Sequence, residues 1–118
     1  MSSVPPKVQQ QLGMLQQIQQ QLQTVAGQKA QYEMAVKETN RAIEELKEVS
    51  DESPVYVNVG TVMMQKEKEK VLAELTEKAE TLDLRIKSLE KQEKAMQAKF
   101  EQLQAQIKQA MSGSPQAS

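Results

Sequence analysis

The sequence predicts a mainly α chain: a long antiparallel two-helix coiled coil with one β-hairpin at the bend, and hairpins from several chains joined into a shared sheet or an oligomeric β-barrel platform. Three observations predict it. Apolar residues recur at heptad spacing on both sides of the midpoint. The midpoint itself, Val55 to Gln65 (VYVNVGTVMMQ), is β-branched and apolar. The remaining composition is rich in Gln, Glu, Lys, Ala and Leu, with aromatics at only 3%, too few for a layered globular core.

The first helix is expected over 6–50. Pro5 and Pro6 suit a helix start, where a missing N–H leaves no hydrogen bond unmade. With Val8 at position a, the a series is Val8, Leu15, Leu22, Lys29, Val36 and Ile43. The d series is Gln11, Ile18, Val25, Tyr32, Thr39 and Leu46. Six heptads of such spacing argue for a coiled coil, in an arm roughly 65 Å long at about 1.5 Å per residue. The segment Ser50-Asp51-Glu52-Ser53-Pro54 ends it, because Pro54 cannot continue the ladder and disfavours helical Ser53.

The hairpin is expected over 55–65, with Asn58 and Gly60 as turn residues. One arrangement is a type I turn over Asn58 and Val59 with Gly60 in a left-handed bulge. The other is a tight turn at Val59-Gly60, which demands positive φ at Val59.

The second helix is expected over 68–111. Its a series is Leu72, Ala79, Ile86, Glu93, Phe100 and Ile107, and its d series Leu75, Leu82, Leu89, Met96, Leu103 and Ala110. No Ser, Thr, Asp or Asn cap precedes it. Ser112-Gly113-Ser114-Pro115 stops it. The whole chain, 1–118, is thus one domain, with flexible tails at 1–5 and 112–118.

Two arms of nearly equal length sharing a bend should fold back on each other. The register that fits the bend pairs Leu46 with Leu72, Ile43 with Leu75, Lys29 with Leu89 and Val25 with Glu93. Lys29 and Glu93 then lie in adjacent layers. Either they meet and fix the register at some cost in stability, or both snorkel to water.

Composition also excludes functions. Fifteen basic and sixteen acidic residues give a net charge of -1, so no field draws the chain to nucleic acid or an anionic membrane. No Cys and no His are present, which removes disulfides, thiolate metal sites and the usual neutral-pH proton shuttle. No apolar run approaches the roughly 20 residues that span a bilayer. MSSVPPKVQQ lacks a signal-peptide core, so the expected location is the cytoplasm. The Glu–Lys pairs sit at helical i,i+3 and i,i+4 spacing as solvated support. No catalytic constellation or cofactor loop is left, and an enzyme is not expected.

Two apolar surfaces remain. Val55, Val57, Val59, Val62, Met63 and Met64 exceed what a narrow coil buries, so oligomerisation through the hairpin is expected. At the free ends Val4, Leu12, Met14 and Met111 widen the apolar stripe, and Gly13 and Gly27 weaken the first helix. Either this end is loosely wound and adaptable, or its apolar residues are incidental fraying.

The block Asp51-Glu52-Ser53-Pro54-Val55-Tyr56, then Val59-Gly60-Thr61-Val62-Met63-Met64, then Lys68-Glu69-Lys70 and Leu75, resembles the β-type subunits of the prefoldin family. So do Pro5-Pro6-Lys7-Val8-Gln9 and Leu89-Glu90-Lys91-Gln92-Glu93, as in archaeal members. The resemblance covers nearly the whole chain, and the single hairpin fits the β type, since the α type has two. It implies a hexamer of two α-type and four β-type subunits on a double β-barrel. The arm tips would hold non-native protein and pass it to a group II chaperonin without nucleotide or any cofactor. By position, Val55, Tyr56, Val57, Val59, Gly60, Val62, Met63 and Met64 would serve assembly. Val4, Val8, Leu12, Met14, Leu103, Ile107 and Met111 would contact clients. The rival is a structural scaffold or tether that oligomerises through the hairpin and binds no client.

Overall fold

The computed structural model describes residues 4–112. Helix α1 spans Pro6–Lys47, strand β1 Val55–Val59, strand β2 Val62–Lys66 and helix α2 Lys68–Ser112. The tails expected at 1–5 and 112–118 fall for the most part on 1–3 and 113–118, outside the described residues; Ser112 is helical.

The chain divides into two compact units. One holds Ala30–Lys87: the last part of α1, the hairpin and the first part of α2. Here α1 and α2 run antiparallel. Lys68 at the start of α2 reaches carbonyls at the end of α1, and further along Arg85 Nη1 donates to the Tyr32 hydroxyl at 3.3 Å. The other unit holds Met1–Lys29 and Ser88–Ser118. Within it Lys29 meets Glu93, while Met14, Ile18, Met96 and Leu103 line one open groove, again with early α1 against late α2.

The heptad spacing accounts for burial along each helix. In α1 all twelve a and d residues are buried or half-buried, and Ala35 alone joins them. In α2 all twelve are likewise sheltered, joined by Lys68 and Val71. The seam is thin: its fully sheltered apolar residues among those described are Val8, Val25, Val71, Ala79, Leu89 and Leu103. Each large one contributes about 1.5–3 kcal/mol of transfer free energy. Polar Thr39 is tolerated in a d layer because its hydroxyl donates to the Ala35 carbonyl at 2.7 Å.

Helix α1 opens with Pro6 in its first turn, and Gln9 N donates to the Pro5 carbonyl. It ends at Lys47, three residues short of the expected Ser50. Its last turn tightens through Glu48 N to Glu45 O and Val49 N to Leu46 O. In place of a glycine cap, Lys68 Nζ donates to Val49 O at 2.7 Å and to Lys47 O at 3.5 Å, and pairs with Asp51 at 3.0 Å. An ammonium there satisfies end carbonyls and the negative pole of the helix together.

Candidate interaction surfaces

The hairpin pairs Val55 with Lys66, Tyr56 with Gln65, Val57 with Met64, Asn58 with Met63 and Val59 with Val62. Its loop is therefore Gly60-Thr61, and neither expected turn forms. Gly60 has φ of +63° and no other described residue has positive φ, which is the type II′ pattern of Gly at the first central position. Asn58 lies in the strand, not in the turn. A type II′ loop matches the strand twist, and it spares Val59 the positive φ that a Val59-Gly60 turn demands.

The register sorts the side chains, since directly opposed residues share a face. Val55, Val57, Val59, Val62 and Met64 line one face with Lys66. Tyr56, Asn58, Met63 and Gln65 line the other. Val57 and Val62 thus share a face. Tyr56, Val59, Val62, Met63 and Met64 are more than half exposed. The loop length also fixes the backbone. Val59 and Val62 exchange hydrogen bonds, so do Val57 and Met64, and the alternate pairs do not. The N–H and C=O groups of Tyr56 and Asn58 face out from one edge, and those of Met63 and Gln65 from the other. A two-stranded sheet with two open edges and apolar side chains on both faces is marginal alone.

Two lysines fix the hairpin base. Lys66 Nζ, at the end of β2, reaches Glu74 Oε1 at 2.8 Å and Oε2 at 3.0 Å on α2. The Lys66 hydrogen bond is the main cause that holds the Glu74 carboxyl below its ordinary value of 4.5; desolvation opposes it, and the Lys66 and Lys70 charges add smaller lowering effects. Lys68 ties α2 to the end of α1, as above. Neither contact is legible in sequence, because each joins residues from different elements.

In the unit holding the free ends, the predicted tip residues separate by exposure. Leu12, Met14 and Met111 are exposed. Val4 and Ile107 are half-buried. Val8 and Leu103 are buried in the seam, at 2% and 8% exposure. Only the first three present free apolar surface. The d-layer residue Gln11 also stands out: its Oε1 is buried and accepts no hydrogen bond from any described residue.

Among the described residues no cluster of three or more His, Cys, Asp or Glu could hold a metal ion, and no helix is long and apolar enough to cross a membrane. The chemistry on offer is apolar contact and strand pairing.

Comparison with known proteins agrees with this geometry. Residues 9–114 match the family model described as Prefoldin subunit. The chain is 57% identical over 113 residues to the prefoldin subunit beta of Methanospirillum hungatei, covering 96% of this chain and 94% of that one. It is 60% identical over 116 residues to that of Methanoculleus marisnigri, covering 98% and 96%. Among solved structures, the prefoldin beta subunit from Thermococcus strain KS-1 superposes with a TM-score of 0.90 at 42% identity, over 95% of this chain and 98% of that one.

Proposed function

The chain belongs to the prefoldin family of chaperone subunits, on the β-subunit side, and from that premise we propose that it captures non-native polypeptides at its coiled-coil ends within a hexamer. The hexamer has two α-type and four β-type subunits, works in the cytoplasm and passes its clients to a group II chaperonin. The observation that carries this reading is the placement of two exposed apolar surfaces in different units. Val59, Val62, Met63 and Met64 lie on a sheet with open edges, and Leu12, Met14 and Met111 lie near the free ends.

Each surface has its own task. The hairpin edges carry outward N–H and C=O groups that pair with hairpins of other subunits, and closure of the shared sheet removes the exposed edges. Val55, Tyr56, Val57, Val59, Gly60, Val62, Met63 and Met64 serve this assembly. The tips bind weakly and adaptably, Met14 and Met111 supplying soft, polarizable side chains. Several tips gathered on one platform raise the effective concentration for a single client by orders of magnitude without new contacts. No bond is made or broken, so nucleotide and cofactor have no part in it.

Suppression of client aggregation by the assembled hexamer tests the reading. Leu12→Ser, Met14→Ser and Met111→Ser together should abolish suppression while leaving the hexamer intact. Undiminished suppression in that variant overturns the tip assignment, and an intact wild-type hexamer that gives no suppression favours a scaffold that only oligomerises.

A further inference from the structure

The chain has no cysteine, so its seven methionines hold all of its sulfur. Thioethers are then the side chains open to reversible oxidation. Two of them stand side by side on β2, Met63 at 66% and Met64 at 52% exposure. As neighbours in a strand they point to opposite faces. Met64 lies opposite Val57 on the valine face, and Met63 opposite Asn58 on the other. Whichever face a shared sheet buries, one of the two thioethers goes into it. Met63 also carries outward N–H and C=O groups, so it stands at a pairing edge. Met34, 64% exposed on α1, belongs to neither the hairpin nor the free ends.

We propose that Met63 and Met64 form a modification site, at which oxidation by a peroxide bars the chain from its oligomer. This rests on the hairpin-assembly reading above and adds a chemical control to it. In the unassembled chain the thioether sulfur attacks one oxygen of hydrogen peroxide. The S–O bond forms, the O–O bond breaks, and the departing oxygen takes up the remaining proton and leaves as water. Sulfur loses two electrons and the peroxide gains them. The product sulfoxide is a polar, chiral acceptor where an adaptable apolar side chain had been. Burying it without a donor is unfavourable, so a sheet built on these side chains rejects the oxidised strand. Methionine sulfoxide reductases reverse the step with a dithiol: the oxygen leaves as water and the dithiol becomes a disulfide.

The test needs no substitution at either methionine. Chains partly oxidised with hydrogen peroxide are mixed with an α-type partner, and the hexamer is separated from unassembled chains. Peptide mass spectrometry then reads the sulfoxide at each methionine in both fractions. Sulfoxide at Met63 and at Met64 should be depleted about tenfold in the hexamer. Sulfoxide at Met34 should divide evenly, because that side chain lies off the pairing surface. Treating the unassembled fraction with reductases for both sulfoxide epimers should restore its entry. Even division at Met63 and Met64 overturns the proposal. Equal depletion at Met34 overturns it too, as do reduced chains that stay excluded. Val57→Asp/Met64→Asp separates the two readings. If that variant stays out of the hexamer while the sulfoxides divide evenly, the hairpin assembles the protein and only the oxidation step is wrong. If the variant enters the hexamer, both fall together.

Discussion

Lys29 Nζ lies 2.8 Å from Glu93 Oε1, inside a mostly apolar seam, and each of the two side chains is about a quarter exposed. Lys29 is an a residue of α1 and Glu93 an a residue of α2, so their meeting sets adjacent layers of the two helices in one register. A slip by one heptad would set Lys29 against Met96 or Leu82 and Glu93 against Tyr32 or Ile18, parting the two charges.

Removing one member should therefore destabilise more than removing both. Lys29→Leu alone strands the partly buried Glu93 carboxylate and should cost about 1–3 kcal/mol. The double variant replaces the pair by packing and should return near wild-type stability or exceed it, with less unique register. Chemical denaturation of all four forms gives the coupling. Additive losses would show that the two side chains act independently.

The Lys68 clamp predicts an asymmetry between donor and acceptors. Lys68→Met leaves the end carbonyls of α1 without their donor and should cost about 1–3 kcal/mol, with faster amide exchange around 47–53. Asp51→Asn should cost no more than about 0.5 kcal/mol, because the Asp51 side chain is 86% exposed. Equal losses would assign the stabilisation to the ion pair instead of to the helix end.

The Lys66–Glu74 contact has a definite pH window. The Glu74 carboxyl titrates below 4.5 in the fold, so its contribution is fully present above that value and is lost as pH falls through the lowered one. Between pH 5 and 8 this contact should give no slope. Below about pH 4.5 exchange at the hairpin base should quicken in wild type, and in Glu74→Gln that acid step should be missing. An acid step of the same size in Glu74→Gln would remove the contact from the account.

Glycine substitutions should act with opposite signs. Gly60→Ala forces a Cβ into φ of +63° and should cost about 1–2 kcal/mol. Gly27→Ala, in open space within α1, should stabilise by about 1 kcal/mol. Thermal unfolding of the two variants reads both.

The seam was legible in the sequence because its period is a property of the chain alone: the a and d residues of both helices are the sheltered ones, including polar Gln11, Thr39, Lys29 and Glu93. Val71 escaped because it lies one residue off the stripe, and it is nonetheless buried. The turn misled because Asn58 is a strong turn former, and a Gly-Thr loop that puts Asn58 opposite Met63 depends on cross-strand register. Lys68 and Lys66 carried no signal, since a lysine at a helix start or strand end is ordinary until its acceptors from other elements are known. For the predicted tips, the sequence could not tell exposed Leu12 and Met14 from buried Val8 and Leu103, because exposure there depends on the partner helix.

Tips should work only when the hairpins gather them. This is read by suppression of client aggregation, at equal chain concentration with an α-type partner present, by wild type and by Val57→Asp/Met64→Asp. Those two residues face each other on the apolar side of the sheet, and the tips are untouched. The variant should fail to enter the hexamer and lose suppression by at least about tenfold, as multivalent capture requires. Full suppression by chains that remain unassembled would contradict it.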